Sequence, residues 1–138
     1  MQMSFRSSFH GLTALLLAAF AQTGLAMDEA PQPPGQLVSG NTLLVKNWFG
    51  PTLIQFHADQ HFQQLAPNGR SSAGSWRATE DSVCLTVTTL PPGREPREYC
   101  LELQGRALGS AWEGPTDPRN GPISYQLLQG HPDFTQLQ

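Results

Sequence analysis

The stretches Val83–Thr89 (VCLTVTT) and Arg97–Leu103 (REYCLEL) decide the fold. In both, apolar side chains alternate with polar side chains or a cysteine, and successive side chains of a strand point to opposite faces. Both stretches are therefore predicted to be strands with one apolar face. The proline-rich segment Leu90–Pro96 would join them as the long tip of a hairpin centred on Pro92.

Both cysteines of the sequence, Cys84 and Cys100, lie in these strands on the face opposite to the apolar side chains. In a hairpin centred on Pro92 they would be directly opposite each other. An even pair of cysteines in an oxidising compartment most simply indicates one disulfide. A free reactive thiol is the alternative, but it would need a base nearby, and the local sequence offers none. Closing a loop of about 17 residues should stabilise the domain by about 3 kcal/mol.

Six further strands are predicted around this hairpin. Short apolar runs separated by turn-forming residues recur about every ten residues, which is typical of an all-β sandwich or barrel. These runs occupy residues 41–46, 52–57, 61–65, 72–79, 107–112 and 123–128. The strongest turn signal is Asn68-Gly69, which tolerates positive φ. We predict an all-β fold, a small antiparallel barrel or sandwich of about eight strands with one disulfide.

The N-terminal region has the pattern of a secretory signal peptide. Its apolar run, Gly11–Ala21, is shorter than the roughly 20 residues that a transmembrane helix needs. Small residues at Gly24 and Ala26 suit the signal peptidase cleft, so cleavage is predicted after Ala26, with Ala19–Ala21 as a second candidate. An uncleaved anchor is the alternative interpretation. The protein is expected to be periplasmic or secreted.

Composition gives the domain boundaries. Residues 1–26 are the predicted signal peptide, and residues 27–36 form a proline-rich leader whose prolines disfavour a helix and indicate an extended, flexible segment. The β domain is predicted over residues 37–128, followed by a loose polar tail over residues 129–138. Removal of the signal peptide leaves 138 − 26 = 112 residues, with no later apolar segment that could span a membrane.

The charge balance argues against one class of partner. Without Arg6 the remaining chain carries 7 basic and 11 acidic side chains, so its formal charge is 7 − 11 = −4. A nucleic-acid-binding protein would show a basic stripe, and none is present. We expect a monomer whose partner is a small ligand or an envelope protein.

His57, Asp59 and His61 form the candidate metal site. The segment is predicted to be a hairpin turn, and two histidines flanking a three-residue turn can face each other with Asp59 beside them. A stable site needs three or four ligands, and His131 and Asp133 would contribute only if the tail folds back. Polar residues around a solvent-exposed turn are the simpler interpretation, so no cofactor is predicted.

Trp48, Phe49 and Trp112 are the candidate ligand-binding residues, because they lie at the edges of predicted loops. Exposed aromatic side chains can anchor a partner or a sugar, although they more often cap the open end of a barrel core. The charged residues 94–98 around the proline-rich tip could also contact a partner. The alternative is a solvated cluster whose charges compensate each other.

Catalytic patterns are missing from the sequence. No serine lies in a Gly-x-Ser-x-Gly context. The carboxylates of Glu80, Asp81, Glu95 and Glu98 are in predicted turns, where burial that would tune them for catalysis is not expected. The protein is therefore predicted not to be an enzyme.

Four short motifs resemble a group of small exported bacterial domains: Gly40-Asn41-Thr42-Leu43, Gly74-Ser75-Trp76, Val83-Cys84-Leu85 and Tyr99-Cys100. That group has a Gly-Asn-Thr start, a Gly-x-Trp strand and two cysteines, and its mostly uncharacterised members are similar in shape to lipocalin-like barrels. The resemblance covers residues 38–128. A second resemblance is to periplasmic inhibitors of secreted metalloproteases, which implies that the leader would plug a protease cleft.

These observations leave three functions. The first is non-enzymatic binding of a small molecule or envelope component in the barrel interior or at its aromatic-rimmed mouth. The second is inhibition of a protein, such as a secreted protease, through the leader and loops. The third is metal handling by His57 and His61. Deleting Met27–Gln36 is expected to abolish an inhibitor and to leave an interior binder intact.

Overall fold

The computed structural model describes residues 31–137, so the predicted signal peptide and leader residues 27–30 lie outside the described residues. The elements, in chain order, are α1 (Pro34–Val38), β1 (Thr42–Asn47), β2 (Gly50–Phe56), β3 (His61–Leu65), β4 (Ser71–Ala78), β5 (Ser82–Val87), β6 (Glu98–Glu102), β7 (Ala111–Glu113), β8 (Ser124–Leu128) and a 3-10 helix (Phe134–Leu137). The eight antiparallel strands and the disulfide confirm the predicted fold class. Among the strands, β7 is shorter than predicted, because Gly109 has a positive φ and the Ser110 N–H closes a turn onto the Ala107 carbonyl.

All eight strands form one sheet in the order β6-β5-β4-β3-β2-β1-β8-β7. The first six strands form a meander. The last strand, β8, pairs with β1 on one side and with β7, the preceding strand in the chain, on the other. The sheet curls into a half-barrel and leaves β6 and β7 as its two edges. We call the groove between these edges the seam.

The inner face of the sheet carries the hydrophobic core. Pairing of Phe56 with Phe62 and of Trp76 with Leu85 places these side chains on that face. The buried core residues contributed by the strands are Leu43, Ile54, Phe56, Phe62, Trp76, Val83, Leu85 and Leu127. The interior of the half-barrel is thus filled by protein side chains.

The Gly-x-Trp motif belongs to this core. Gly74 lies against Phe62, and a Cβ at this position would collide with the Phe62 ring and the carbonyl oxygen of Thr86. Trp76 is buried and donates its indole N–H to the carbonyl oxygen of His57 at 3.0 Å. The motif therefore has a packing role: glycine makes room for one aromatic ring, and tryptophan ties β4 to the end of β2.

One end of the half-barrel is closed by α1. The sequence predicts an extended leader through residue 36, but the helix begins at Pro34, and this part of the prediction is wrong. Proline is tolerated in the first helical turn, where its missing N–H has no partner to lose. Leu37 and Val38 are both buried and join the core cluster. The burial of these two large apolar side chains stabilises a helix here, although the proline-rich composition favours an extended segment.

The Gly-Asn-Thr motif joins α1, β1 and the C-terminal segment. Asn41 donates its side-chain N–H to the Leu37 carbonyl at 2.9 Å and accepts from the Gly130 N–H at 3.0 Å. The Thr42 hydroxyl donates to the Gly130 carbonyl at 2.7 Å. The sequence predicts a loose tail from residue 129, but these bonds hold its beginning against the outer face of β1. The tail prediction is therefore wrong for this part of the chain.

The opposite end, which we call the open end, is formed by loops. Because the strands alternate in direction, the connections after β1, β3, β5 and β7 all lie there. They include the Trp48-Phe49 turn and the proline-rich loop between β5 and β6. Among residues 31–137, no α-helix covers the open end in the way that α1 covers the closed end.

Candidate ligand site at the open end

The β5–β6 hairpin forms one wall of the open end, and its register is the predicted one. Cys84 pairs directly with Cys100, and the two sulfurs are bonded at 2.05 Å. Leu85 pairs with Tyr99 on the inner face. The disulfide lies on the outer face, where Cys84 is buried and Cys100 is exposed. It fixes the spacing of the strands whose ends carry the proline-rich loop.

An ion pair lies beside the disulfide on the outer face. The Arg77 guanidinium donates two hydrogen bonds to the Glu98 carboxylate, at 2.9 and 2.6 Å. These bonds hold the pKa of Glu98 below its ordinary value, and the same pairing raises the pKa of Arg77. Arg77 is 21 positions from Glu98 in sequence, so pattern reasoning could not find the pair. The Glu98 charge is therefore compensated from β4.

A recess of about 750 Å³ lies under the proline-rich loop. We call it the loop recess. Both apolar and charged residues line it: Val87, Leu90, Gly93, Arg94, Glu95, Pro96, Arg97 and Tyr99. Val87 and Tyr99 belong to the inner face of the sheet, so the recess continues the core outward. Its volume lies in the range of about 300–1,000 Å³ that is typical of small-molecule sites.

The base of the loop is fixed to the neighbouring strand. Thr88 and Thr89 both donate backbone N–H groups to the Ala73 carbonyl, at 2.9 and 3.3 Å. The Ala73 N–H donates back to the Thr89 hydroxyl at 2.9 Å. At the tip, the Arg94 N–H closes a turn with the Pro91 carbonyl at 3.2 Å. Together with the disulfide, these bonds preorganise the recess.

Tyr99 stands where the recess meets the interior. Its side chain is on the inner face, yet the residue is 39% exposed. Burial raises the pKa of Tyr99, and the nearby Tyr125 adds to the increase. Burial also raises the pKa of Tyr125. Both phenols therefore stay neutral at physiological pH, and Tyr99, which lines the recess, can donate a hydrogen bond to a ligand.

Trp48 and Phe49 occupy the turn between β1 and β2, also at the open end. Trp48 is 70% exposed and Phe49 is 79% exposed, which places both outside the core. The Trp48 ring lies against Gly121, and its backbone N–H donates to the Asn120 carbonyl at 3.0 Å. Phe49 has no aromatic stacking partner among the described side chains. The two residues form a projecting apolar tip.

Trp112 lies at the seam, away from this tip. Its ring stacks on Tyr125 with centroids 5.6 Å apart, and the Arg106 guanidinium lies 4.5 Å from the ring centroid. A groove of about 340 Å³ at the seam is lined in part by Leu101 and Leu103. The three predicted aromatic residues are thus divided between two places, and Trp112 is half-buried against the core.

His57, Asp59 and His61 surround the turn between β2 and β3, at the closed end. Asp59 lies 3.3 Å from the His61 ring and accepts its backbone N–H at 3.1 Å. This backbone hydrogen bond lowers the pKa of Asp59. Among residues 31–137, only one group of three or more histidine, cysteine or acidic residues has its possible ligand atoms all within 4.8 Å of one another. It consists of Cys84, Glu98 and Cys100. Its sulfurs are bonded to each other, so it offers no thiolate.

Within residues 31–137, the structure contains no helix with the length and apolar character that crossing a bilayer requires. Comparison of the chain with protein-family models, with curated proteins and with solved structures finds no match. The function must therefore be inferred from the geometry of the chain itself.

Proposed function

We propose that this chain is an exported, non-enzymatic binding domain, and that its ligand is a small amphiphile with an anionic group. The observation that supports this most directly is the loop recess, whose lining includes both apolar side chains and two arginines. The predicted signal peptide and the disulfide support export, because disulfides persist in oxidising compartments.

The apolar part of the lining favours a ligand with a hydrocarbon part. Val87, Leu90 and Tyr99 are among the residues that line the recess. An apolar group placed there removes surface from water at the edge of the existing core, at roughly 25 cal/mol per Å². The interior itself is filled by buried side chains such as Phe56 and Phe62, so the open end is the better place for a ligand.

The charged part of the lining favours an anionic group. Arg94 and Arg97 line the recess, and Glu95 is the one carboxylate among its lining residues. Glu98, the other acidic residue of this cluster, is paired with Arg77 on the outer face. The recess thus keeps one net positive charge, and guanidinium groups bind carboxylate and phosphate oxygens in a bidentate manner.

The four carboxylates whose pKa is clearly shifted are not tuned as general acids. The pKa of Asp59, Glu98, Asp117 and Asp133 is lowered in each case, chiefly by a hydrogen bond to the carboxylate. A general acid at neutral pH needs the opposite shift, which burial provides. These four side chains are therefore suited to turns and ion pairs.

The test is isothermal titration of the exported protein with dodecanoate, a probe with one carboxylate and a short alkyl chain. We expect saturable binding to one site, lost in Leu90→Ser and weakened about tenfold in an Arg94→Gln, Arg97→Gln double variant, as expected when charged hydrogen bonds are removed. Leu108→Ser, which changes an exposed leucine outside the recess, is the matched control. Equal affinity in all variants, or no binding, would contradict the proposal.

A protein partner is the second candidate, supported by the exposed Trp48-Phe49 tip. Adjacent aromatic side chains with this exposure are typical anchors of protein interfaces. The resemblance to metalloprotease inhibitors adds the leader as a second contact. Because α1 begins at Pro34 and is part of the core, a deletion that tests the leader must end at Gln32.

The corresponding experiment measures inhibition of a secreted metalloprotease of the same host. We expect the intact exported chain to inhibit, and the chain lacking residues 27–32 or carrying Phe49→Ser to lose inhibition without losing stability. If the intact chain leaves protease activity unchanged, inhibition of that protease is excluded, and the dodecanoate titration remains a separate test of the first proposal.

A further inference from the structure

All three histidines within residues 31–137 lie at one corner of the closed end. His57 and His61 flank the turn between β2 and β3, and His131 reaches this turn from the C-terminal segment. Together with Asp59 we call these residues the histidine corner. Its position at the opposite end from the loop recess makes it independent of the proposed amphiphile site.

The turn places His57 and His61 on the same face of the sheet. Phe56 pairs with Phe62 on the inner face, and the next pair outward is His57 with His61, joined by an N–H to carbonyl bond of 2.9 Å. Gln60 takes a positive φ of 68°, which lets three residues close the turn. Directly opposed side chains have Cβ atoms about 5 Å apart, so both imidazoles lie on the outer face within reach of one ion.

His131 approaches the same face from the tail. Its ring centroid lies 4.7 Å from that of His57, at an interplanar angle of 77°. The Nε2 atom of His131 is 2.9 Å from the carbonyl oxygen of Phe56. A carbonyl oxygen only accepts, so Nε2 carries the proton and donates, and in the neutral ring Nδ1 keeps its lone pair. Metal-binding histidines commonly have this arrangement, with one ring nitrogen held by a carbonyl.

Asp59 and His61 are free to adjust. Their side chains are both 69% exposed and lie 3.3 Å apart at the nearest atoms. As placed in the structure, the four side chains do not bring their ligand atoms within 4.8 Å of one another. Convergence requires rotation of the exposed His61 and Asp59 side chains, while the His57 backbone stays fixed by the Trp76 indole and the Gln60 N–H.

We propose that the histidine corner binds one divalent late transition-metal ion, with His57, His61 and His131 as nitrogen ligands and Asp59 as an oxygen ligand. Three imidazoles and a carboxylate match the four-coordinate ligand set that Zn²⁺ takes in proteins and are also suited to Cu²⁺. A bound ion would join the β2–β3 turn to the C-terminal segment, so binding should also stabilise the fold.

The test is calorimetric titration of the untagged exported protein with Zn²⁺ and, separately, with Cu²⁺. We expect one ion per chain and a rise in Tm at saturating metal. The variants His57→Gln, His61→Gln and His131→Gln should each weaken binding at least about tenfold. Gln63→Ala is the matched control, because Gln63 follows His61 on the same exposed face of β3.

A tail loosened by the His131 substitution could lower affinity without direct coordination, so Co²⁺ provides a second measurement. Four-coordinate Co²⁺ absorbs strongly in the visible, and we expect this absorption in the native chain and in Gln63→Ala. Failure of Zn²⁺ and Cu²⁺ to bind saturably would overturn the proposal, as would affinities and Co²⁺ spectra that the three histidine substitutions leave unchanged. Dodecanoate binding should be the same in all these variants.

Discussion

The two ends of the half-barrel use apolar side chains in opposite ways. At the closed end, α1 buries Leu37 and Val38 in the core, and Asn41 joins the helix to the tail. At the open end, Phe49 is 79% exposed and Tyr99 is 39% exposed. Exposed apolar area contributes nothing to folding but is available to a partner. The two ends therefore differ in burial: α1 adds apolar side chains to the core at the closed end, whereas the open end leaves aromatic side chains in contact with water.

The largest expected effect comes from emptying the closed end. Leu37→Ala removes a buried side chain and should lower the free energy of unfolding by about 2–5 kcal/mol, because a cavity remains where the leucine packed. Urea unfolding followed by circular dichroism measures the change. Leu108→Ala, at a leucine that is 42% exposed, is the control and should change stability by less than about 0.5 kcal/mol. Equal midpoints for the two variants would show that α1 does not stabilise the core.

The second effect concerns the hairpin that carries the open end. Replacing both cysteines, Cys84→Ser and Cys100→Ser, should cost about 3 kcal/mol, since the disulfide closes a loop with a sequence separation of 16. Amide hydrogen exchange should show that protection is lost first in β5 and β6. If exchange instead increased evenly over the sheet, the disulfide would be stabilising the whole domain rather than the recess wall.

The strands of the sheet could be predicted from the sequence because the pattern that identifies each strand lies within the strand itself. Alternating apolar side chains identify a strand, and the match between the two cysteine strands fixes their register around Pro92. The helix at Pro34 could not be found in this way. Its burial depends on contacts with β4 and β5, which are distant in the sequence and which no property of residues 34–38 reveals.

The candidate sites were predictable only in part, for the same reason. Trp48 and Phe49 are exposed at a loop, as their position in the sequence indicates. The loop recess depends on how the proline-rich loop folds over Tyr99, and the histidine corner depends on a tail that returns to β2. His131 was visible as a ligand only on the condition that the tail folds back, and the Gly-Asn-Thr motif supplies the bonds that fold it.

A smaller effect is expected at the exposed tip of the open end. Phe49→Ser should change the free energy of unfolding by less than about 0.5 kcal/mol, because the side chain is almost as exposed as in an unfolded chain. Thermal unfolding of the variant beside Leu37→Ala sharpens the contrast between the two ends. A loss similar to that of Leu37→Ala would mean that Phe49 packs in solution and cannot serve as an anchor.

The smallest effect tests whether charge stabilises the wall of the recess. The Arg77 guanidinium lowers the pKa of Glu98 in the folded chain, so the folded form holds this proton less tightly than the unfolded form does. The stabilisation is therefore complete above the unfolded pKa and is lost as pH falls through the folded pKa. Glu98→Gln should lower Tm slightly at neutral pH, and the difference from the native chain should shrink in acid.

The effect of Glu98→Gln on Tm should be small because both side chains of the ion pair are exposed to solvent. The side chains of Arg77 and Glu98 are 57% and 38% exposed, and exposed ion pairs contribute little because water and salt screen them. Glu95→Gln is the matched control, since Glu95 lies three residues before Glu98 in the loop that leads into β6 and takes part in neither of the ion pairs within residues 31–137. A difference between Glu98→Gln and the native chain that stays constant from neutral to acid pH would assign the loss to altered packing. A difference that disappears in acid and at high salt would assign it to the charge of Glu98.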